Sequence, residues 1–107
     1  MTSLREPPYW AVIFTSERTP EDATGYASMA AEMVALASKQ PGFLGVDSAR
    51  GSDGVGLTVS YWESLEAIRE WRRQEDHRIA QRLGREQWYR AYSVRVARVE
   101  RAYDFER

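Results

Sequence analysis

The stretch that decides the fold is Phe43–Arg50, FLGVDSAR, followed by Gly51–Gly54, GSDG, and Val55–Trp62, VGLTVSYW. The two outer runs are rich in apolar, β-branched and aromatic side chains and have the length of ordinary strands. The glycines at both ends of the tetrapeptide supply the positive φ angles that a chain reversal needs. The sequence therefore predicts a β-hairpin over residues 43–62.

A strand and a helix are predicted before the hairpin. The run Tyr9–Phe14 is continuous, aromatic and β-branched, and it is too short for a globular helix. Thr19 is suited to cap a helix in which Pro20 takes the first position, and the Pro41–Gly42 pair ends its pattern. The apolar positions between them keep the i, i+3, i+4 spacing of one amphipathic helix. They are Tyr26, Met29, Ala30, Met33, Val34 and Ala37.

A second helix and a last strand are predicted after the hairpin. Ser64 is suited to cap this helix, whose core positions are Leu65, Ile68 and Trp71. The run Tyr92–Tyr103 returns to strand-like alternation. The resulting order βαββαβ predicts a ferredoxin-like α+β fold, a four-stranded antiparallel sheet with both helices on one face.

The first strand carries apolar side chains on both of its faces. One parity holds Trp10, Val12 and Phe14, and the other holds Ala11 and Ile13. A sheet with helices on one face only would alternate apolar with polar residues, so the second face also needs a cover. A second copy of the sheet, related by a two-fold axis, is the simplest cover. We therefore expect a homodimer, with Val12 or Phe14 as candidates for its interface.

The second helix contains charges where its core face is expected. Arg72 and Asp76 fall on the stripe of Leu65 and Ile68 when the pattern continues at a helical period. Burying an unpaired charge costs several kcal/mol, so either the helix breaks or these charges line a polar cavity. We expect a break between Arg72 and His77, with Asp76 capping a new segment. That segment would hold Ile79, Ala80 and Leu83 and end at Gly84.

Composition limits the functional classes. The 107 residues suit one domain, which we place at 9–107 after an irregular lead-in over 1–8. A net charge of -1 without basic blocks makes nucleic acid an unexpected partner. With no cysteine and one histidine, His77, neither a disulfide nor a metal centre is expected. The chain has no apolar run of about 18 residues, so we expect no membrane association and a cytoplasmic protein.

These residues resemble the antibiotic biosynthesis monooxygenase family. The similarity rests on Pro41–Val46, PGFLGV, on Val59–Ser64, VSYWES, and on Ala67, Trp71 and His77. The resemblance implies a dimeric α+β barrel with a pocket between sheet and helices in each subunit. Some members oxidise phenolic or quinol rings with molecular oxygen and use neither metal nor flavin, whereas others bind and degrade haem.

The first functional hypothesis is therefore a cofactor-independent monooxygenase acting on a small aromatic substrate. In it, His77 is the catalytic base, because a pKa of about 6.5 suits proton transfer at neutral pH. Arg72 stabilises the oxyanion. The substrate-binding candidates are Tyr61, Trp62, Trp71 and Trp88.

Two other hypotheses remain open from the sequence. In a haem-binding or haem-degrading protein, His77 would ligate iron and Trp71 would pack on the macrocycle, but the chain contains no asparagine for the distal role that the resemblance implies. In a non-catalytic module that binds a small ligand, Trp71 and Trp88 would be core residues. Tyr61 and Trp62 could then equally anchor the dimer.

Overall fold

The computed structural model describes residues 4–81 and 88–107, and within 77–81 it describes the backbone alone. The elements are β1 Tyr9–Arg18, α1 Ala23–Ser38, β2 Phe43–Arg50, β3 Val55–Trp62, α2 Leu65–Gln81 and β4 Tyr89–Val99. The antiparallel sheet has the strand order β2-β3-β1-β4. The predicted ferredoxin-like α+β fold is confirmed. Among the described helices, none is long and apolar enough to cross a membrane.

The hairpin of β2 and β3 has the predicted bounds. The reversal is closed by hydrogen bonds from Gly51 N to Val55 O at 2.9 Å and from Gly54 N to Gly51 O at 3.2 Å. Gly54 has a φ of 89°, which a residue with a side chain rarely adopts. The turn fixes the register, in which Arg50 lies opposite Gly56.

The start of α1 differs from the prediction. The N-cap is Asp22, not Thr19, and its carboxylate accepts a hydrogen bond from Gly25 N at 3.1 Å. Thr19 N instead donates to Trp88 O at 2.9 Å, which ties the end of β1 to the start of β4. For the same reason β1 continues to Arg18, and β4 begins at Tyr89 rather than at Tyr92. Pairing across the sheet therefore overrides the local capping signal.

The predicted break in α2 is wrong, because the helix runs without interruption from Leu65 to Gln81. Ser64 caps it as predicted, accepting a hydrogen bond from Ala67 N at 3.1 Å. Asp76 is exposed within the helix and caps no new segment. The physical reason is that Arg72 faces a cavity, so its charge requires no break. The side chains of Ile79 and Ala80, and residues 82–87 including Leu83 and Gly84, lie outside the described part of the chain.

The core lies between the helices and one face of the sheet. Its centre is Trp62, whose side chain has no exposed surface and whose Nε1 donates to Ser60 Oγ at 2.9 Å. The other members come from both helices and from the start of β4. They are Met29, Met33, Ala37, Ile68, Trp71 and Trp88. Leu65, expected in the core, is 36% exposed at the first position of α2.

The register assigns the two parities of β1 to opposite faces of the sheet. Val12 and Phe14 point towards the helices and not towards the open face, so neither is suited to a sheet-to-sheet interface. Tyr9, Ala11 and Ile13 have the other parity. The same open face carries further apolar side chains from β3, where Val55 and Leu57 are each 44% exposed.

The burial of Trp62 gives a stability prediction. Trp62→Ala should lower the free energy of unfolding by about 3–5 kcal/mol, because it removes a completely buried aromatic side chain and leaves a cavity. Tyr103, 82% exposed, is the control, and Tyr103→Ala should change stability by less than about 0.5 kcal/mol. Urea unfolding followed by circular dichroism measures both. Equal losses in the two variants would contradict the assignment of Trp62 to the centre of the core.

Candidate functional site

A cavity of about 370 Å³ separates the helices from the central part of the sheet. Val12 and Val94 form part of its floor, and Met29, Met33 and Trp71 form part of its helical wall. Its volume lies in the range of pockets that hold small organic molecules. Because most of its surface is apolar or aromatic, the cavity suits a flat, poorly hydrated ligand.

Aromatic clusters stand at the two ends of this cavity. The tryptophan cluster, Phe43, Trp62 and Trp71, lies near the start of β1, where Trp62 pairs with Trp10. The tyrosine cluster lies near the end of β1, where Tyr89 pairs with Arg18. Its members are Phe14, Tyr26, Trp88, Tyr89 and Tyr92, with ring centroids of neighbouring members 5.5–6.0 Å apart.

The structure brings three of the predicted site residues to the cavity. Trp71, Arg72 and Trp88 all contribute to its lining. Trp62 is packed below Trp71 and does not line it, with a centroid separation of 6.1 Å between the two indole rings. The side chain of His77 lies outside the described residues, although its backbone belongs to α2.

Tyr61 lies on the opposite face of the sheet from the cavity. Its ring meets that of Tyr9 edge to face at 5.9 Å, and its hydroxyl donates to Asp47 Oδ2 at 3.3 Å. Burial, followed by the neighbouring Asp47 carboxylate, raises the pKa of Tyr61. Tyr61 is therefore a neutral donor at neutral pH, on the face that the helices leave uncovered.

Charged side chains occupy two places on the cavity wall. Arg72 and Glu75 lie one helical turn apart on α2. Arg50 lies at the end of β2 and was not among the residues predicted from the sequence. In the described portion of the chain, no three histidine or acidic side chains are grouped closely enough to hold a metal ion.

Arg50 is held by three oxygen acceptors. Its Nη1 donates to Gly54 O at 2.7 Å, and its Nη2 donates to Ser16 Oγ at 3.2 Å and to Tyr26 Oη at 2.9 Å. The sequence does contain a signal for this arrangement. Arg50 shares its parity with Val46, which also lines the cavity, and the residue opposite Arg50 is a glycine that leaves room for a long side chain.

Tyr89 connects the tyrosine cluster to these charges. Burial raises its pKa, and the nearby Tyr26 and the hydrogen bond with it act in the same direction, while Arg50 opposes them. The hydroxyl of Tyr89 therefore stays protonated well above the usual pKa of a tyrosine. Tyr89 therefore presents a neutral phenol to the cavity at any physiological pH.

Comparisons with known proteins agree with this architecture. A model of the antibiotic biosynthesis monooxygenase family matches residues 10–83. The uncharacterized protein YqjZ of Bacillus subtilis is 54% identical over 101 residues, which cover 94% of this chain and 88% of that protein.

Solved structures share the fold at low sequence identity. SnoaB of Streptomyces nogalater, a cofactor-independent oxygenase, matches with a TM-score of 0.68 and 12% identity, covering 90% of this chain and 97% of that one. The NE2512 protein of Nitrosomonas europaea matches with a TM-score of 0.74 and 10% identity, covering 95% and 99%.

The raised pKa of Tyr89 predicts a late step in an alkaline titration. Folding favours the neutral form of Tyr89. The stabilisation that this gives the folded protein is present below the usual tyrosine pKa of about 10 and is lost as the pH rises above that value. In absorbance titrations of tyrosinate, Tyr89→Phe should therefore leave the amplitude near pH 10 unchanged. A reduced amplitude near pH 10 in Tyr89→Phe would show that Tyr89 ionises normally.

Proposed function

The chain belongs to the antibiotic biosynthesis monooxygenase family, and we propose that it is a cofactor-independent monooxygenase that oxidises a phenol or quinol-like substrate with molecular oxygen. The observation that carries this proposal is the aromatic cavity between the sheet and the helices. SnoaB, which has a similar fold, is a cofactor-independent oxygenase, and this supports a reaction without metal or flavin.

The proposed reaction converts a ring C–H opposite a phenolic hydroxyl into a carbonyl. One oxygen atom of O₂ becomes the new carbonyl oxygen, and the other leaves as water with the phenolic hydrogen and the hydrogen of the oxidised carbon. All the electrons that reduce O₂ come from the ring, so the reaction needs no external reductant. The protein has to deprotonate the phenol, stabilise the anion and exclude water.

The cavity residues suit these tasks. Trp71 and Trp88 offer aromatic surfaces for a planar ring, and Trp62 supports Trp71 from below. In the proposal, Arg72 stabilises the developing oxyanion from the wall of α2, and His77 of the same helix accepts the phenolic proton. The apolar floor strengthens these electrostatic interactions by keeping the local dielectric low.

Oxygen uptake tests the proposed activity. Metal-free protein should consume O₂ faster than the protein-free solution with at least one member of a panel of naphthols, phenols and anthrones that carry hydrogen opposite the oxygen substituent. His77→Ala should lower kcat by about 10²–10⁴-fold, the usual contribution of a general base, and Tyr103→Ala should leave it unchanged.

Three results would contradict the proposal. Ligand binding without uptake for the whole panel would favour the non-catalytic module. Uptake that requires added flavin or metal would refute the cofactor-independent reaction. A haemin absorption band that disappears in His77→Ala would favour the haem-binding alternative.

We also propose that the open face of the sheet packs against a second copy of the chain. Its apolar side chains include the half-exposed Leu57 and the partly buried Ile13 and Val59. Tyr61 belongs to this face, so its proposed role moves from substrate binding to the dimer interface. An uncovered apolar face of this kind is unusual in a monomer, and a two-fold axis lets one surface cover itself.

A charge on this face should dissociate the dimer. Leu57→Asp should shift the mass measured by light scattering from two chains to one, because an unpaired charge in an interface costs several kcal/mol. Leu65 at the start of α2 is the control, since it is an exposed apolar side chain outside this face, 36% exposed against 44% for Leu57. Leu65→Asp should leave the mass at two chains. A dimer that survives Leu57→Asp would refute this interface.

A further inference from the structure

The side chain of Arg50 crosses the sheet to reach one end of the cavity. Arg50 on β2, Gly56 on β3 and Ser16 on β1 lie opposite one another in register. From its position on β2 the guanidinium passes over Gly56 and donates to Ser16 Oγ at 3.2 Å and to Tyr26 Oη at 2.9 Å. We propose that Arg50, together with Tyr26, forms an anion subsite and that the ligand of the cavity is an aromatic carboxylate.

The sheet is shaped to accept this guanidinium. A Cβ added at Gly56 would overlap the guanidinium group of Arg50, so the path across β3 is open only because this residue is glycine. Ser16 is 3% exposed, which makes it a fixed acceptor beneath the arginine. The turn contributes Gly54 O, to which Nη1 donates at 2.7 Å. An arginine held at three points loses little further side-chain entropy when a ligand binds.

The acceptors around Arg50 leave its charge available. All three are neutral oxygens, and no ion pair joins Arg50 to a carboxylate within the described ranges. Within the described residues, three of the five guanidinium N–H groups have acceptors, which leaves Nε–H and one Nη1–H available to an anion. A hydrogen bond from a charged donor to a carboxylate is about twice as strong as a neutral one.

The neighbours of Arg50 strengthen the positive potential at this end of the cavity. Tyr26 accepts a hydrogen bond from Arg50 at 2.9 Å, and its hydroxyl is also hydrogen-bonded with that of Tyr89. The guanidinium of Arg18 lies over the aromatic ring of Tyr26, 3.7 Å from its centroid. The carboxylate of Glu75, on the α2 wall one turn from Arg72, also acts electrostatically on Tyr89 and partly offsets this positive potential.

The position of this subsite defines the class of ligand. Phe43 and Trp71 of the tryptophan cluster, together with the methionines of α1, provide the apolar part of the cavity, and Arg50 provides a cation at the other end. A ligand that contacts both the apolar part of the cavity and Arg50 has a planar ring system with a carboxylate on its edge. This inference deepens the proposed function, since it names the substrate of the oxygenase as an aromatic carboxylic acid, and it also holds for a protein that only binds such a ligand.

Binding measured without turnover tests the subsite. The probes are 1-hydroxy-2-naphthoate and its methyl ester, which share the ring and the phenol but differ in charge. Under anaerobic conditions, quenching of tryptophan fluorescence should give a Kd for the acid about ten- to a hundredfold lower than for the ester. Arg50→Gln should abolish this preference. Arg73→Gln should retain it, because Arg73 is exposed on α2 and pairs with Glu70.

A second variant separates the position of the charge from its presence. Gly56→Ala keeps the arginine but displaces its guanidinium, so it should also lose the preference for the acid while thermal unfolding confirms a folded protein. Equal affinities for acid and ester in the wild type, or a preference that survives in both Arg50→Gln and Gly56→Ala, would overturn the subsite. Oxygen uptake is measured in a separate experiment, so that failure of the oxygenase proposal and failure of the subsite can be distinguished. A preference for the acid without any uptake supports the subsite and refutes the oxygenase, whereas uptake with 1-naphthol but no preference for the acid refutes the subsite alone.

Discussion

The stacking of Trp71 on Trp62 is the contact on which the rest of the structure depends. The two indole rings are 6.1 Å apart and 22° from parallel, and Phe43 meets Trp62 edge to face at 5.5 Å. Rings of this size keep the backbone of α2 away from the sheet. At the other end of β1, Tyr26 and Trp88 play the same part for α1, with a centroid distance of 6.0 Å. The cavity is the space between these two supports.

This arrangement explains how a short chain combines a stable core with an unfilled site. Large, rigid side chains bury much apolar surface with few rotatable bonds, so two clusters support both helices while the middle of the sheet stays free. The charged groups lie on the wall of α2 and at one end of that space. Arg72 enters from α2, and Arg50 enters from β2 next to the phenols of Tyr26 and Tyr89. A ligand would thus find an apolar centre with charge at defined places.

The sequence predicted the order of elements and the hairpin because those depend on local patterns. It failed where tertiary contacts decided the outcome: Asp22 caps α1 because the chain before it is tied to Trp88, and α2 continues because Arg72 faces a cavity. Tyr61 and Trp62 were both assigned to the site, yet consecutive residues of a strand point to opposite faces. Arg50 was missed because its contacts lie on β1 and α1, 34 and 24 residues away in sequence.

The space between the two aromatic clusters is proposed to be a ligand site with Arg50 at one end. A crystal structure of the protein with 1-hydroxy-2-naphthoate bound tests it most directly. Ligand density is expected between sheet and helices, with the naphthalene ring against Trp71 and a carboxylate oxygen within hydrogen-bond distance of the Arg50 guanidinium. Density for the ligand on the open face of the sheet, with the cavity filled by rearranged side chains, would contradict it.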